Sequence, residues 1–232
     1  MNVNLASIVL PVHNEADHLD GVVRQYADAL GRLNVTHELV LVPNGCRDRS
    51  PQVCDELARE FSTIRVVQSA EPGWGRSVKA GLLAARGDLL CYTNLARTTG
   101  QDLTMLLLYA SLNPNTVIKA NRKIRESFVR RAGSLLYNLE CRALFDLSYW
   151  DINGTPKVFP RSFDKLLELS RDDDLIDAEF NVICRQHGYP VLEVPIFSSR
   201  RHGGTSTTNF RSAFRMYSGA YDMWRAMKHR EL

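Results

Sequence analysis

An α/β protein built on a mostly parallel sheet flanked by helices is what this sequence predicts, and three observations carry the prediction. Short apolar runs rich in β-branched residues alternate with longer amphipathic stretches through the first 122 residues. Strands alternating with helices in this way make βαβ units. The apolar runs are continuous rather than alternating, as in strands covered on both faces. The stretches between them repeat their apolar residues at helical spacing.

The elements follow in order. "ASIVLPV" (6–12) reads as the first buried strand. The stretch 15–33 places Leu19, Val22, Val23, Tyr26, Leu30 and Leu33 on one helical face. "HELVLVPNG" is a second strand ending in a turn, after which Ser50 reads as N-cap and Pro51 as first residue of a helix. "IRVVQ" is a third strand. "WGRSVKAGLLAARGD" is a helix closed by Gly87 as its C-cap. "LLCYT" is a fourth strand, "LTMLLLYASL" a helix and "TVIKANR" a fifth strand. Farther on come a long helix over about 125–147 and a turn and strand in "WDINGTPKVFPR". A capped helix in "SFDKLLELS", a helix in "IDAEFNVICRQHG" and a strand in "YPVLEVPIF" follow. A polar loop, "SSRRHGGTSTTN", then precedes a last helix. With no repeat, low-complexity tract or linker, 1–232 reads as one domain: a nucleotide-binding half (1–124), an acceptor half (125–209) and a C-terminal amphipathic helix (210–232).

The totals bound the function. The 232 residues are 44% apolar and 24% charged, with a net charge of +3, which is ordinary for a globular protein and gives no argument for nucleic acid. Five cysteines without a Cys-x-x-Cys pair read as reduced thiols of a cytoplasmic protein. No apolar run approaches the roughly 20 residues of a membrane span. No Gly-x-Gly-x-x-Gly follows the first strand and no Gly-Lys-Ser/Thr occurs, which argues against ordinary dinucleotide and P-loop sites. Parallel sheets bind ligands beyond the carboxyl ends of their strands, so "PVHNE", "VPNGC", "TNLAR" and "ANRK" are the segments to inspect.

Five motifs in order carry a resemblance. "SIVLPVHNEADHL", "ELVLVPNGCRDRS", "PGWGRSVKAGLLAARGD", "DINGTPKVF" and "GYPVLEVPIFSSRRHGG" are similar to the signature segments of the family 2 inverting glycosyltransferases of the GT-A (Rossmann-like) fold. The nearest branch is that of the polyprenyl-phosphate (dolichyl-phosphate) mannosyl- and glucosyltransferases. The resemblance implies a UDP or GDP type nucleotide diphosphate sugar as donor and a lipid phosphate or a small saccharide or natural product as acceptor. It implies that Pro11, His13, Glu15 and Asn44 line the nucleobase, and that Arg122 stands near the phosphates.

The chain departs from the family where the metal belongs. Pro43-Asn44 replaces Asp-Asp, and Asn94-Leu95-Ala96 replaces the Asp-x-Asp that holds Mg²⁺ or Mn²⁺. A neutral amide is a poor ligand for a hard cation, so no motif-held metal is expected, only one carried in by the donor diphosphate. Charge building on the leaving diphosphate must then meet cations. Arg122 and Lys119 are the first candidates, with Arg76, Lys79 and Arg97 beside them; Lys119 stands where the family has Gly. Asn94 remains a donor-site candidate. Asp177 and Glu179 are candidate bases for an acceptor hydroxyl. Arg200 and Arg201 belong to a cationic, glycine-bearing segment that the resemblance implies closes over the phosphates. In the last helix Phe210, Phe214, Tyr217, Tyr221 and Trp224 form an aromatic stripe that suits the core, a homodimer partner or a membrane surface. The competing reading is a catalytically silent binding protein of the same fold; a nucleotidyltransferase lacks its Gly-rich signature here.

Overall fold

The computed structural model describes residues 5–33, 35–69, 71–123, 128–197, 203 and 210–229. Its seven-stranded sheet has the order β3-β2-β1-β4-β6-β5-β7. The strands are β1 (Ala6–Val12), β2 (His37–Pro43), β3 (Ile64–Val66), β4 (Leu89–Tyr92), β5 (Val117–Arg122), β6 (Lys157–Pro160) and β7 (Val191–Ile196). All neighbours are parallel except β6, which runs antiparallel between β4 and β5. The helices are α1 (Leu19–Gly31), α2 (Ser50–Glu60), α3 (Trp74–Ala84), α4 (Gly100–Leu112), α5 (Phe128–Phe145), α6 (Ile176–Gln186) and α7 (Phe210–Lys228). The predicted α/β fold with a mostly parallel sheet is therefore the one observed.

Alternation along the strands divides the core between the two faces. Ile8, Leu10, Leu39 and Leu41 face α1 and α4, meeting Leu19, Val23, Tyr26 and Leu103. Val9, Val40, Val42, Leu90 and Tyr92 face α3 and α6, meeting Val78, Leu82, Ile176 and Phe180. Each such large apolar side chain contributes roughly 1.5–3 kcal/mol by leaving water. Gly81 lets α3 sit this close: a Cβ there would lie 2.2 Å from Val9 Cγ1.

Several local expectations are corrected. Gly87 does not cap α3, which ends at Ala84 with Ala85 in extended backbone. The glycine is needed because its backbone runs against β1, where a Cβ would meet Leu5 O at 2.5 Å. Ser50 is the first residue of α2 rather than its cap, and its hydroxyl accepts the Glu15 N–H instead. "SFDKLLELS" forms only a 3₁₀ turn, Asp164–Leu167, without a side-chain cap. The aromatic stripe of α7 divides. Tyr217 and Trp224 pack with Ala220 and Met223 beside α5, whereas Phe214 and Tyr221 are exposed; the Phe210 side chain lies outside the described residues.

Candidate functional site

The carboxyl ends of β1, β2 and β4 open on one edge of the sheet. The antiparallel β6 starts at that same edge, because Lys157 pairs with Tyr92. Side chains from both halves of the chain thus meet there.

On the β1–β2 side the polar groups lock the backbone. Asn44 is buried: its Nδ2 donates to Val12 O at 2.8 Å, and its Oδ1 accepts the Gly73 N–H at 3.3 Å. His13 Nδ1 lies 2.7 Å from Asn44 O, so this nitrogen donates and Nε2 accepts from Asn14 Nδ2. Pro11 is buried opposite Val42, and Glu15 is buried behind them. The structure thus brings Pro11, His13, Glu15 and Asn44 together at one strand end. Asn44, however, has its amide committed to three backbone groups, so it shapes this wall rather than offering it hydrogen bonds.

At the end of β4, Leu95 and Ala96 turn into the core, 1% and 0% exposed. The Asn94 carbonyl accepts the Arg97 and Thr98 N–H groups, closing the turn. Its Oδ1 is buried with no hydrogen-bond partner. A single neutral oxygen does not suit a hard dication that wants carboxylates. Among the described residues no group of three or more His, Cys, Asp or Glu side chains is placed to hold a metal. The 94–96 turn does not fit the family's metal.

The acceptor side is built from buried charge. Asp177, in the first turn of α6, is 5% exposed. Its Oδ1 accepts from Tyr92 OH at 2.9 Å and from Lys157 Nζ, and its Oδ2 accepts from Trp74 Nε1 at 3.2 Å. Trp74 opens α3 and Tyr92 ends β4, so the carboxylate of the second half is held by rings of the first. Lys157 is fully buried; burial lowers its pKa, opposed by Asp177, whose charge offsets the loss of water. Beside this pair, Arg122 clamps Asp151 through Nε and Nη2, each at 2.8 Å. The Arg122 N–H also donates to Asp151. Lys119 Nζ donates to Asn181 Oδ1 at 2.9 Å and lies 3.4 Å from Glu193 Oε1.

Five of the candidate residues have partners within the protein. Lys119 is 0% exposed and holds Asn181 and Glu193. The Arg122 fork is spent on Asp151. Arg76 pairs with Glu71 and Asp172, and Lys79 pairs with Asp172 at 2.7 Å, tying α3 to the 170–174 loop. Glu179 is no free base: both its oxygens accept from the Ser170 and Arg171 N–H groups. Arg200 and Arg201 lie outside the described residues.

Trp74, Tyr92, Lys157, Asp151, Asn181 and Glu193 were given no role from sequence, although a signal was there. Lys119 in "VIKAN", Lys157 in "PKVFP" and Glu193 in "VLEVP" put charge inside apolar strands. A charge in such a place must find a partner.

Comparison with known proteins agrees with this architecture. An undecaprenyl-phosphate 4-deoxy-4-formamido-L-arabinose transferase of Pseudomonas fluorescens is 24% identical over 229 residues, 97% of this chain and 65% of that protein. The transferase of the same name from Pectobacterium atrosepticum is 24% identical over 90% of this chain and 64% of its own length. The chain thus spans somewhat less than two thirds of these relatives. Glucosyl-3-phosphoglycerate synthase from Mycobacterium tuberculosis, solved with Mn²⁺, UDP and phosphoglyceric acid, superposes with a TM-score of 0.70 at 15% identity. That superposition covers 95% of this chain and 76% of the other. A structure of that synthase with Mg²⁺ and UDP gives a TM-score of 0.67 at 14% identity. These likenesses show the GT-A fold. Residues 7–163, from β1 to just past β6, match the family described as Glycosyl transferase family 2, and the chain belongs to that family.

Proposed function

We propose that this protein is an inverting glycosyltransferase that moves a sugar from a nucleoside diphosphate sugar to a phosphate-bearing lipid acceptor. The observation that carries the reading is the Asp177 node. A carboxylate of the acceptor half is fixed by Trp74 and Tyr92 at the strand ends where the nucleotide half opens.

Pro11, His13, Glu15 and Asn44 form the wall for the nucleobase. Asn94 Oδ1, buried and without a donor, offers an acceptor to a hydroxyl of the donor. Lys157 pairs with Asp177 in its buried place, and the carboxylate holds the two rings that border the reacting sugar. With an acceptor hydroxyl, Asp177 is also the group that takes the proton. A phosphate acceptor is already a nucleophile and needs no base, which suits a carboxylate so fully hydrogen-bonded. The sequence relatives, named as undecaprenyl-phosphate transferases, support this acceptor class.

The donor set at 94–96 favours transfer without a metal held by that turn, Mg²⁺ or Mn²⁺ arriving only with the diphosphate. Arg200 and Arg201 are then left to meet the leaving phosphates. Lipid acceptors call for contact with a membrane surface. Leu135, Leu136 and Leu139 of α5 and Phe214 and Tyr221 of α7 are exposed, beside Arg215, Arg225 and Lys228. Such a face suits an anionic bilayer. No helix among the described residues is long and apolar enough to cross a membrane.

The test is turnover of UDP- and GDP-sugars with undecaprenyl phosphate in phosphatidylglycerol vesicles, with Mn²⁺ and with EDTA. Transfer that survives EDTA is expected. Transfer that stops in EDTA overturns the metal assignment. Nucleotide binding without transfer to any acceptor leaves a silent member of the fold.

A further inference from the structure

Lys119 and Lys157 face each other across β5 and β6 in register, and both are fully buried. Around them Lys119, Lys157 and Arg122 face Asp151, Asp177 and Glu193, with Glu193 held also by the Trp150 and Asp151 N–H groups. Three cations thus balance three carboxylates, and Lys119 completes the balance.

Its bond to Asn181 does more. An ammonium only donates, so the Asn181 oxygen must turn toward it. The Asn181 NH₂ group is then forced the other way, where it donates to Ile152 O at 3.0 Å and Asp177 O at 2.6 Å. One amide thereby ties the first turn of α6, which carries the Asp177 carboxylate, to the 151–154 loop. That loop holds Asp151, and Gly154 packs there so tightly that a Cβ would lie 1.9 Å from Ala120 O.

We propose that Lys119 is a positioning residue: its ammonium sets the orientation of the Asn181 amide, and through it the register of Asp177 against the acceptor-side loop. The role rests on the glycosyltransferase reading only for its effect on turnover; the orientation itself stands on the geometry. The charge on Lys119 is conditional. Burial first, and then the like charge of Lys157, push its pKa down to about 8, while Glu193 and Asp151 resist. The groups facing it are Lys157 from β6, Asp177, Asn181 and Cys184 from α6, Glu193 from β7, and Asp151 and Tyr149 from the loop; the Tyr149 ring centroid is 5.2 Å from Nζ. Below pH 8 the ammonium holds the amide. As pH rises through 8 the neutral amine can accept as well as donate, and the amide is free to turn.

Two measurements on the whole chain decide it. In the first, the Asn181 side-chain amide signals are followed by nitrogen-15 NMR from pH 6.5 to 9.5. Expected are two protected protons whose signals shift with a midpoint near 8, and in Lys119→Met a loss of that titration with faster exchange. Signals that stay put through pH 9.5 overturn the proposal. In the second, with the donor and acceptor that turn over, kcat of Lys119→Met falls by about ten- to a hundredfold, the scale of a small misplacement. The KM for the donor stays near its wild-type value, and the alkaline fall of kcat expected of wild type above pH 8 disappears. Equal kcat in the variant, or an unchanged alkaline limb, is the opposing result. Asn181→Asp guards against a Lys119→Met protein that does not fold. It keeps a partner for Lys119 but loses the two donors, so it should lower kcat and, with no amide left to turn, lack the alkaline limb; a limb that persists at the wild-type pH counts against the proposal. A wild type that transfers no sugar refutes the glycosyltransferase reading and leaves the NMR titration to judge Lys119.

Discussion

The two flanks of the sheet handle polar groups in opposite ways. At the carboxyl ends of β1 and β2, Asn44 and His13 answer backbone carbonyls and N–H groups, so the wall is a set of neutral hydrogen bonds. Around β5, β6 and β7 the structure instead buries paired ions. Neutral bonds fail one at a time, each at modest cost. A balanced set of buried charges fails together, because losing one ion strands its partner.

Removing a charge from the second flank should therefore have the largest effect. Lys157→Met leaves Asp177 buried with only the Tyr92 and Trp74 donors. The expected loss is about 3–5 kcal/mol in denaturant unfolding, as for a broken buried ion pair. Restoring balance with Asp177→Leu in the same chain should recover much of that stability but no activity. A single Lys157→Met variant as stable as wild type would erase the contrast between the flanks.

Asn44→Ala probes the first flank. It strands the Gly73 N–H, while the Val12 carbonyl keeps the backbone N–H of residue 44, at an expected cost of about 1–3 kcal/mol. Unfolding in urea measures it, and a loss as large as that of Lys157→Met would again remove the contrast.

The smallest effect concerns Glu38, a buried carboxylate at the opposite, amino edge of β2. Burial pushes its pKa up. Hydrogen bonds from the Ser7 hydroxyl, the Arg86 N–H and Arg65 outweigh that and hold it below the ordinary 4.5. A carboxylate lowered in the folded state adds stability above its unfolded pKa and loses it as pH falls through the folded one. Stability should therefore be flat near neutrality and decline below about pH 4.5. Glu38→Gln should be less stable near neutrality and lack this part of the slope. A Glu38→Gln protein with the wild-type acid slope would mean that other carboxylates set it.

Much of the first flank was legible because its signals are local. β1 was read at its observed bounds, Ala6–Val12, and the core face of α1 was read from helical spacing. Gly87 was misread because a glycine after a helix has two physical uses, and only the neighbouring strand shows that this one serves close approach. The partners of the phosphate-side cations were not legible for a related reason. Arg122 and Lys119 lie where the family's phosphates are expected, but a side chain's partner depends on which distant segment packs beside it. Asp151 and Asn181 lie 29 and 62 residues away in sequence.

The sequence by itself determined the alternation of strands and helices, the strand ends that carry the site and the loss of acidic ligands at 94–96. Those features are periodicity, turn chemistry and residue identity, which need only near neighbours. Tertiary structure alone decided that β6 runs backward between β4 and β5, bringing Lys157 to the open edge beside Asp177. It decided too that the lysines within apolar strands are buried partners of carboxylates. Strand direction and ion pairing are relations between segments far apart in the chain, and burial makes them obligatory, because an unpaired charge cannot stay in the interior.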